Sequence, residues 1–210
     1  RPPVTAELLT ILAPDGQVTG RISASSQISL AGGALTVAGE YGNRAGDSRE
    51  NLSRNVFDAN GVLQVRGAGW KEVRPLSRKL SFDFERPVEW GFVRLNGSLS
   101  PYERASHRHF DLRDAASGAF AGAEANTGSS DELGFTVGGD IQRDFDGGSA
   151  KLITYHARKS GDYASSYTIY DAAGAFLSTT TTRPEKSSGE SILRGQLDWS
   201  LGADHSIQIA

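Results

Sequence analysis

The feature that most constrains this chain is a unit of two alternating segments joined by a short polar turn. The unit is clearest in Ser191 to Ala210. Leu193, Gly195, Leu197 and Trp199 share one parity, and Arg194, Gln196 and Asp198 share the other. Period two is the signature of a strand with one apolar and one polar face. A turn over Ser200 to Asp204 leads into a second segment with Ile207 and Ile209 on the apolar parity.

The same unit recurs upstream. Val4 to Leu12 reads as a strand, and Pro14-Asp15-Gly16 as a turn. Val18, Gly20, Ile22, Ala24 and Ile28 oppose Thr19, Arg21, Ser23, Ser25 and Gln27. After a turn at Ala31-Gly32-Gly33, Leu35, Val37, Gly39 and Tyr41 oppose Thr36, Ala38 and Glu40. Leu80, Phe82 and Phe84 oppose Lys79, Ser81, Asp83 and Glu85. Past a turn at Arg86 to Glu89 come Val93, Leu95, Gly97 and Leu99 against Arg94, Asn96 and Ser98. Leu133, Phe135, Val137, Gly139 and Ile141 oppose Thr136, Gly138, Asp140 and Gln142, and Asp144 to Gly148 turns the chain. Ala150 to Ala157 is a strand whose faces the pattern does not assign.

The short turns centre near Gly33, Glu89, Gly148 and Ala203, about 55 to 60 residues apart. Between them lie long polar excursions. One runs from Asn43 to Gly69, with strand character returning near Leu76, and another from Tyr102 to about Asp131. The third, Tyr163 to Thr182, reads as a protruding hairpin. Each carries an Asp-Ala element followed by Gly: Asp58 to Gly61, Asp114 to Gly118, Asp171 to Gly174. Short connections at one end and long ones at the other are the habit of outer-membrane barrels. Phe84, Trp90, Phe145 and Trp199 sit beside the short turns, as an interfacial aromatic belt would.

Composition narrows the classes. The chain has no Cys and no Met, so disulfides and thiol chemistry are excluded. Net charge is −3, which gives no basic field for nucleic acid. Mean hydropathy is −0.37, and no apolar run approaches a membrane helix. A barrel escapes that test because only alternate residues meet lipid. The chain opens on Arg1-Pro2-Pro3 and closes within an alternating segment, so it reads as a piece of a longer protein.

The expected fold is therefore all-β: an antiparallel up-and-down transmembrane β-barrel, present in part. The apolar parity meets lipid. The polar parity, with Arg21, Glu40, Lys79, Asp83, Glu85, Arg94, Asp140, Arg194 and Asp198, faces a wet lumen or a plug. Glycines recur on the apolar face (Gly20, Gly39, Gly97, Gly139, Gly195), which would leave a compact core underfilled. Arg143 shares the apolar parity and snorkels from beside its turn.

Gly138-Gly139-Asp140-Ile141, Gly148 to Ile153, Gly189 to Leu197, Val56 to Gly61 and Leu95 to Ser98 together resemble the TonB-dependent outer-membrane receptors. The likeness covers nearly the whole chain through pattern and short phrases. It implies a barrel of 22 strands around an amino-terminal plug, of which about nine strands lie here. No TonB box, plug or terminal assembly strand is found in this sequence. What the resemblance implies for function is energised uptake of a scarce nutrient, such as an iron-siderophore, in the bacterial outer membrane. The implied partners are outer-membrane lipid, the protein's own plug domain, the TonB complex and a small-molecule ligand. No catalysis and no cofactor are implied.

Candidate chemistry is sparse. His107 and His109 are the only H-x-H pair and would share a face in a strand, without a third metal ligand in view. Asp144 to Gly147 lacks the distal Glu of a calcium loop, and no G-x-S-x-G elbow occurs. Tyr163, Tyr167 and Tyr170 read either as a ligand-facing loop or as cross-strand pairs in a hairpin. Two other readings stay open: a passive porin or adhesin barrel, and a soluble extracellular β-sandwich.

Overall fold

The computed structural model describes residues 3–12, 18–43, 48–200 and 206–209. All its regular elements are strands: β1 (Val4–Leu12), β2 (Val18–Leu30), β3 (Gly33–Gly42), β4 (Ser48–Phe57), β5 (Leu63–Val88), β6 (Gly91–Asp114), β7 (Phe120–Phe145), β8 (Gly148–Tyr170), β9 (Phe176–Thr182), β10 (Glu185–Ser200) and β11 (Ser206–Ile209). They form one antiparallel sheet in the order β1-β2-β3-β5-β6-β7-β8-β10-β11, with β4 paired to the far half of β5 and β9 to the far half of β8. The nine strands of this path match the number expected. β3 with β4, and β9 with β10, each serve as two sections of one stave.

The predicted facing holds, because directly paired residues share a face in an antiparallel ladder. One row joins Ile22, Tyr41 and Arg78; another joins Leu35, Phe84, Leu95 and Gly139. The register also assigns the faces of β8. Ala150, Leu152, Thr154, His156 and Arg158 pair with Arg143, Ile141, Gly139, Val137 and Phe135, so they belong to the apolar face. Three polar side chains on that face explain why alternation alone left β8 open. The His156 ring lies 6.2 Å from that of Phe135, and a 2.8 Å hydrogen bond joins it to the Ser191 hydroxyl.

The first two long excursions are a correction: they are strands, not loops. The third is the hairpin expected, with β9 folded back on the far half of β8. β5 starts at Leu63 rather than near Leu76, β6 runs on to Asp114, and β7 begins at Phe120. The β7–β8 ladder is unbroken from Phe145↔Gly148 to Ala123↔Tyr170. Here both faces carry polar side chains, so the hydropathic alternation fades while the backbone ladder continues. The true tips are the Asp-Ala elements. Asp58 Oδ1 accepts from the Asn60 and Val62 amides, Asp114 Oδ1 from Ala116 and Ser117, and Asp171 Oδ1 from Ala173 and Ala175. Gly61, Gly118 and Gly174 close these turns at φ 78°, 70° and 80°, where a side chain would be strained. These amide contacts hold the Asp58 carboxyl, led by Val62, below the usual carboxylate range. Ser117 does the same for Asp114.

The short turns fall where expected, at Ala31-Gly32, Glu89-Trp90 and Asp146-Gly147. The turns at Pro14 to Gly16 and after Ser200 lie outside the described residues.

No side chain among the described residues is fully buried, and only Phe110 and Ala123 count as buried hydrophobics. Among the described residues, the extensive contacts of each strand are with its sheet neighbours. The described residues thus form a single layer, without the second sheet a sandwich requires. Leu8 and Leu193 are more than 70% exposed, and Ile22, Leu80, Phe82, Leu95, Phe135 and Ile141 are also exposed on the same face.

Candidate functional site on the concave polar face

The sheet curls toward its polar face. Arg54 on β4 forms an ion pair with Glu124 on β7, although β5 and β6 lie between them. Three strand spacings span about 14 Å in a flat sheet, beyond the lateral reach of these two side chains. Tyr167, a further strand away on β8, lies close enough to the same two groups for both to act on its hydroxyl. Glycines make the curl possible. A Cβ on Gly67 would meet Leu112, Arg54 and Phe110, and one on Gly69 would lie 2.7 Å from the Phe110 ring.

The polar face has two zones. The first runs from the short turns to Arg21 and Glu40 and carries ion pairs between polar-parity residues. Arg94 bridges Asp83 at 3.4 Å and Glu85 at 2.8 Å; Lys151 meets Asp140 at 3.0 Å; Arg21 approaches Glu40 at 3.8 Å. Ser98 and Thr136 share a 2.8 Å hydrogen bond. Asp198 accepts from the Gln196 amide at 2.9 Å, while Arg194 has no ion-pair partner among the described residues. The pairs of Arg94 are exposed, and such pairs contribute about 0–1 kcal/mol each, while those of Lys151–Asp140 and Arg21–Glu40 are partly shielded. They define a wetted surface rather than a source of stability.

The second zone continues the same face toward the Asp-Ala tips. Its lower row holds Tyr102, Glu132, Gly161 and Lys186. Lys159 pairs with Glu132, the Tyr163 hydroxyl donates to Glu132 at 2.7 Å, and the Lys186 ammonium lies 4.9 Å from the Tyr163 ring centre. Partial burial raises the Glu132 pKa, but the Lys159 and Tyr163 hydrogen bonds and nearby positive charge outweigh it. The carboxyl ends below its usual range. The Glu132 hydrogen bond in turn raises Lys159 and Tyr163, while burial raises Tyr167 ahead of its Glu124 contact.

A depressed carboxyl stabilises the fold above its ordinary pKa. That contribution is lost as pH falls through the lower folded value. Acidification from pH 5 downward, through the ordinary glutamate value of about 4.3, is expected to lower the thermal midpoint of the intact protein. Glu132→Gln flattens that acid limb, as thermal melts at stepped pH will register.

The predicted ligand-facing residues do not form one group. Tyr163 and Tyr167 sit together on the concave face, whereas Tyr170 pairs with Ala123 on the opposite one. His107 and His109 also face the convex side. Trp70 stacks on His107 at 5.0 Å and tilts against His109 at 6.3 Å, and His109 contacts Asp111 at 3.1 Å. No metal-holding group of three ligands occurs among the described residues. The sequence reading missed Arg54, Tyr102, Arg104, Arg108, Glu124, Glu132, Lys159 and Lys186. Carrying the even parity of Arg94, Asn96 and Ser98 onward along β6 would have reached Tyr102, Arg104, Arg108 and Phe110.

No protein-family model matches this chain, and no curated protein matches it significantly.

Proposed function

We propose that this chain is wall and outer rim of an outer-membrane β-barrel of the TonB-dependent receptor type, working in energised uptake of a scarce small ligand. The apolar band carries the reading. On β7 it runs from Leu133 to Arg143, eleven residues. That matches the roughly 9–11 residues of a tilted spanning strand and the roughly 25 Å of a barrel's apolar belt. Arg86, Arg143, Trp90, Phe145 and Trp199 border its short-turn edge, with the last two rings 6.3 Å apart, edge to face. A row of Glu103, Asp131, Asp162 and Glu185 borders the other edge. Lipid covers such a band without requiring the packed second layer that the described residues lack.

In this reading the band is lipid wall and its ion-paired reverse side meets water and a plug. The strands beyond the carboxylate row stand outside the membrane, with their concave face toward arriving ligand. The TonB-type resemblance of the sequence adds the energised step, in which the TonB complex acts through parts of the protein beyond this chain. The role assigned here is binding and passage rather than catalysis.

The test is fractionation of the full-length protein with purification in parallel with and without detergent. Recovery in the outer membrane and a cooperative fold only in micelles or vesicles is expected. A well-ordered monomer in plain buffer would overturn the reading. A plug and TonB box in the full reading frame separate the energised receptor from a passive porin.

A further inference from the structure

We propose that the hollow between Arg104 and Arg108 on the concave face binds a small ligand carrying at least two carboxylates. The inference rests on that face being the ligand-contacting one.

Three rows build the hollow. Its floor is the row Val73, Ser106, Gly128 and Ser165, all small or half-buried. Its lower wall is Arg104, Ser130 and Tyr163, and its upper wall Arg108, Asn126 and Tyr167. The floor is knit by Ser106 donating to the Gly128 carbonyl at 3.4 Å and Asn126 donating to Ser165 at 3.5 Å.

Charge decides the ligand class. The carboxylates flanking the hollow are already held: Glu124 by Arg54, Glu132 by Lys159, and Glu50 by Lys71 at 3.7 Å. Arg104 and Arg108 have no carboxylate partner among the described residues, and both are exposed. Arg108 lies 5.9 Å from the Phe110 ring centre, which steadies it without neutralising it. Two uncompensated guanidinium forks, with hydroxyl and amide donors between them, match carboxylates in bidentate geometry. The tyrosine rings on the walls favour a flat ligand body.

The probe is benzene-1,3,5-tricarboxylate, titrated calorimetrically into the full-length protein in detergent, with neutral 1,3,5-benzenetrimethanol as its counterpart. The tricarboxylate is expected to bind and the triol not. Arg104→Gln and Arg108→Gln are each expected to weaken binding about tenfold. Arg66→Gln removes the same charge from the opposite face and leaves affinity unchanged. Far-UV circular dichroism confirms that the variants keep their strands. Independently of any variant, wild-type affinity falls as salt rises. Absence of tricarboxylate binding, equal binding of the triol, or salt-insensitive affinity each overturns the inference. A protein that fractionates with the outer membrane yet binds no tricarboxylate sinks this inference alone and leaves the wall reading standing.

Discussion

Leu95→Arg is expected to destabilise the lipid-embedded protein by about 2–4 kcal/mol, the cost of an arginine on the lipid face near the bilayer midplane. Leu95 lies in the row of Phe84 and Gly139, close to the centre of the Leu133–Arg143 band. It is exposed on the apolar face. The neighbouring change Asn96→Arg points a charge to the ion-paired side, where Arg94 already sits among Asp83 and Glu85, and should cost almost nothing. Leu95→Ala is equally informative. In a packed core a Leu→Ala change costs about 2–5 kcal/mol, but Leu95 has no second layer over it and leaves no cavity behind. Urea unfolding of the full-length protein in vesicles compares the three variants. The ordering Leu95→Arg far below Leu95→Ala and Asn96→Arg marks a lipid face. A Leu95→Ala loss as large as that of a core residue would mean that protein, not lipid, covers the band.

The arrangement of the band was legible in the sequence because one side of each strand there is apolar and the other charged. Leu80, Phe82 and Phe84 against Lys79, Ser81 and Asp83 needs no structure to be read. The alternation fails as a signal wherever both faces meet water. Between Tyr102 and Asp114, Arg104 and Arg108 point one way and His107 and His109 the other, and hydropathy does not distinguish them. The segment therefore reads as a loop although its backbone pairs on both sides, with one register shift toward β7 between Leu112 and Arg113. The hollow was illegible for a second reason. Its members come from β5, β6, β7 and β8, and only the register places Arg104 beside Ser130 and Tyr163. The Arg54–Glu124 pair is further still from the linear pattern, since it depends on curvature across two intervening strands. The Asp-Ala-to-Gly tips were visible as repeated elements, because their chemistry is local: an Asp carboxylate capping amides two to four residues on, and a Gly at positive φ.

That curvature depends on glycines whose roles differ by face, and exchanging them separates the two faces. Gly69→Val is expected to cost about 3 kcal/mol, at the upper end of overpacking penalties. A Cβ there would fall 2.0 Å from the His109 carbonyl oxygen and 2.7 Å from the ring of Phe110. The first contact is with backbone of the paired strand and cannot swing away. The second displaces one of the few buried hydrophobic side chains, whose ring lies over the space the glycine leaves. Moving Phe110 also moves the support of Arg108, so Gly69→Val weakens tricarboxylate binding along with stability. Gly39→Val is the counterpart. Gly39 sits on the apolar face in the row of Ala24 and Leu80, and a Cβ there meets nothing within 4 Å. Valine suits an exposed strand position facing hydrocarbon, so no loss is expected. Urea midpoints of the two variants in vesicles, with calorimetric titration of the tricarboxylate, supply both readouts. A large loss from Gly39→Val would place a close-packed partner against the apolar face. A silent Gly69→Val would remove the tight β5–β6 approach on which the concave hollow depends.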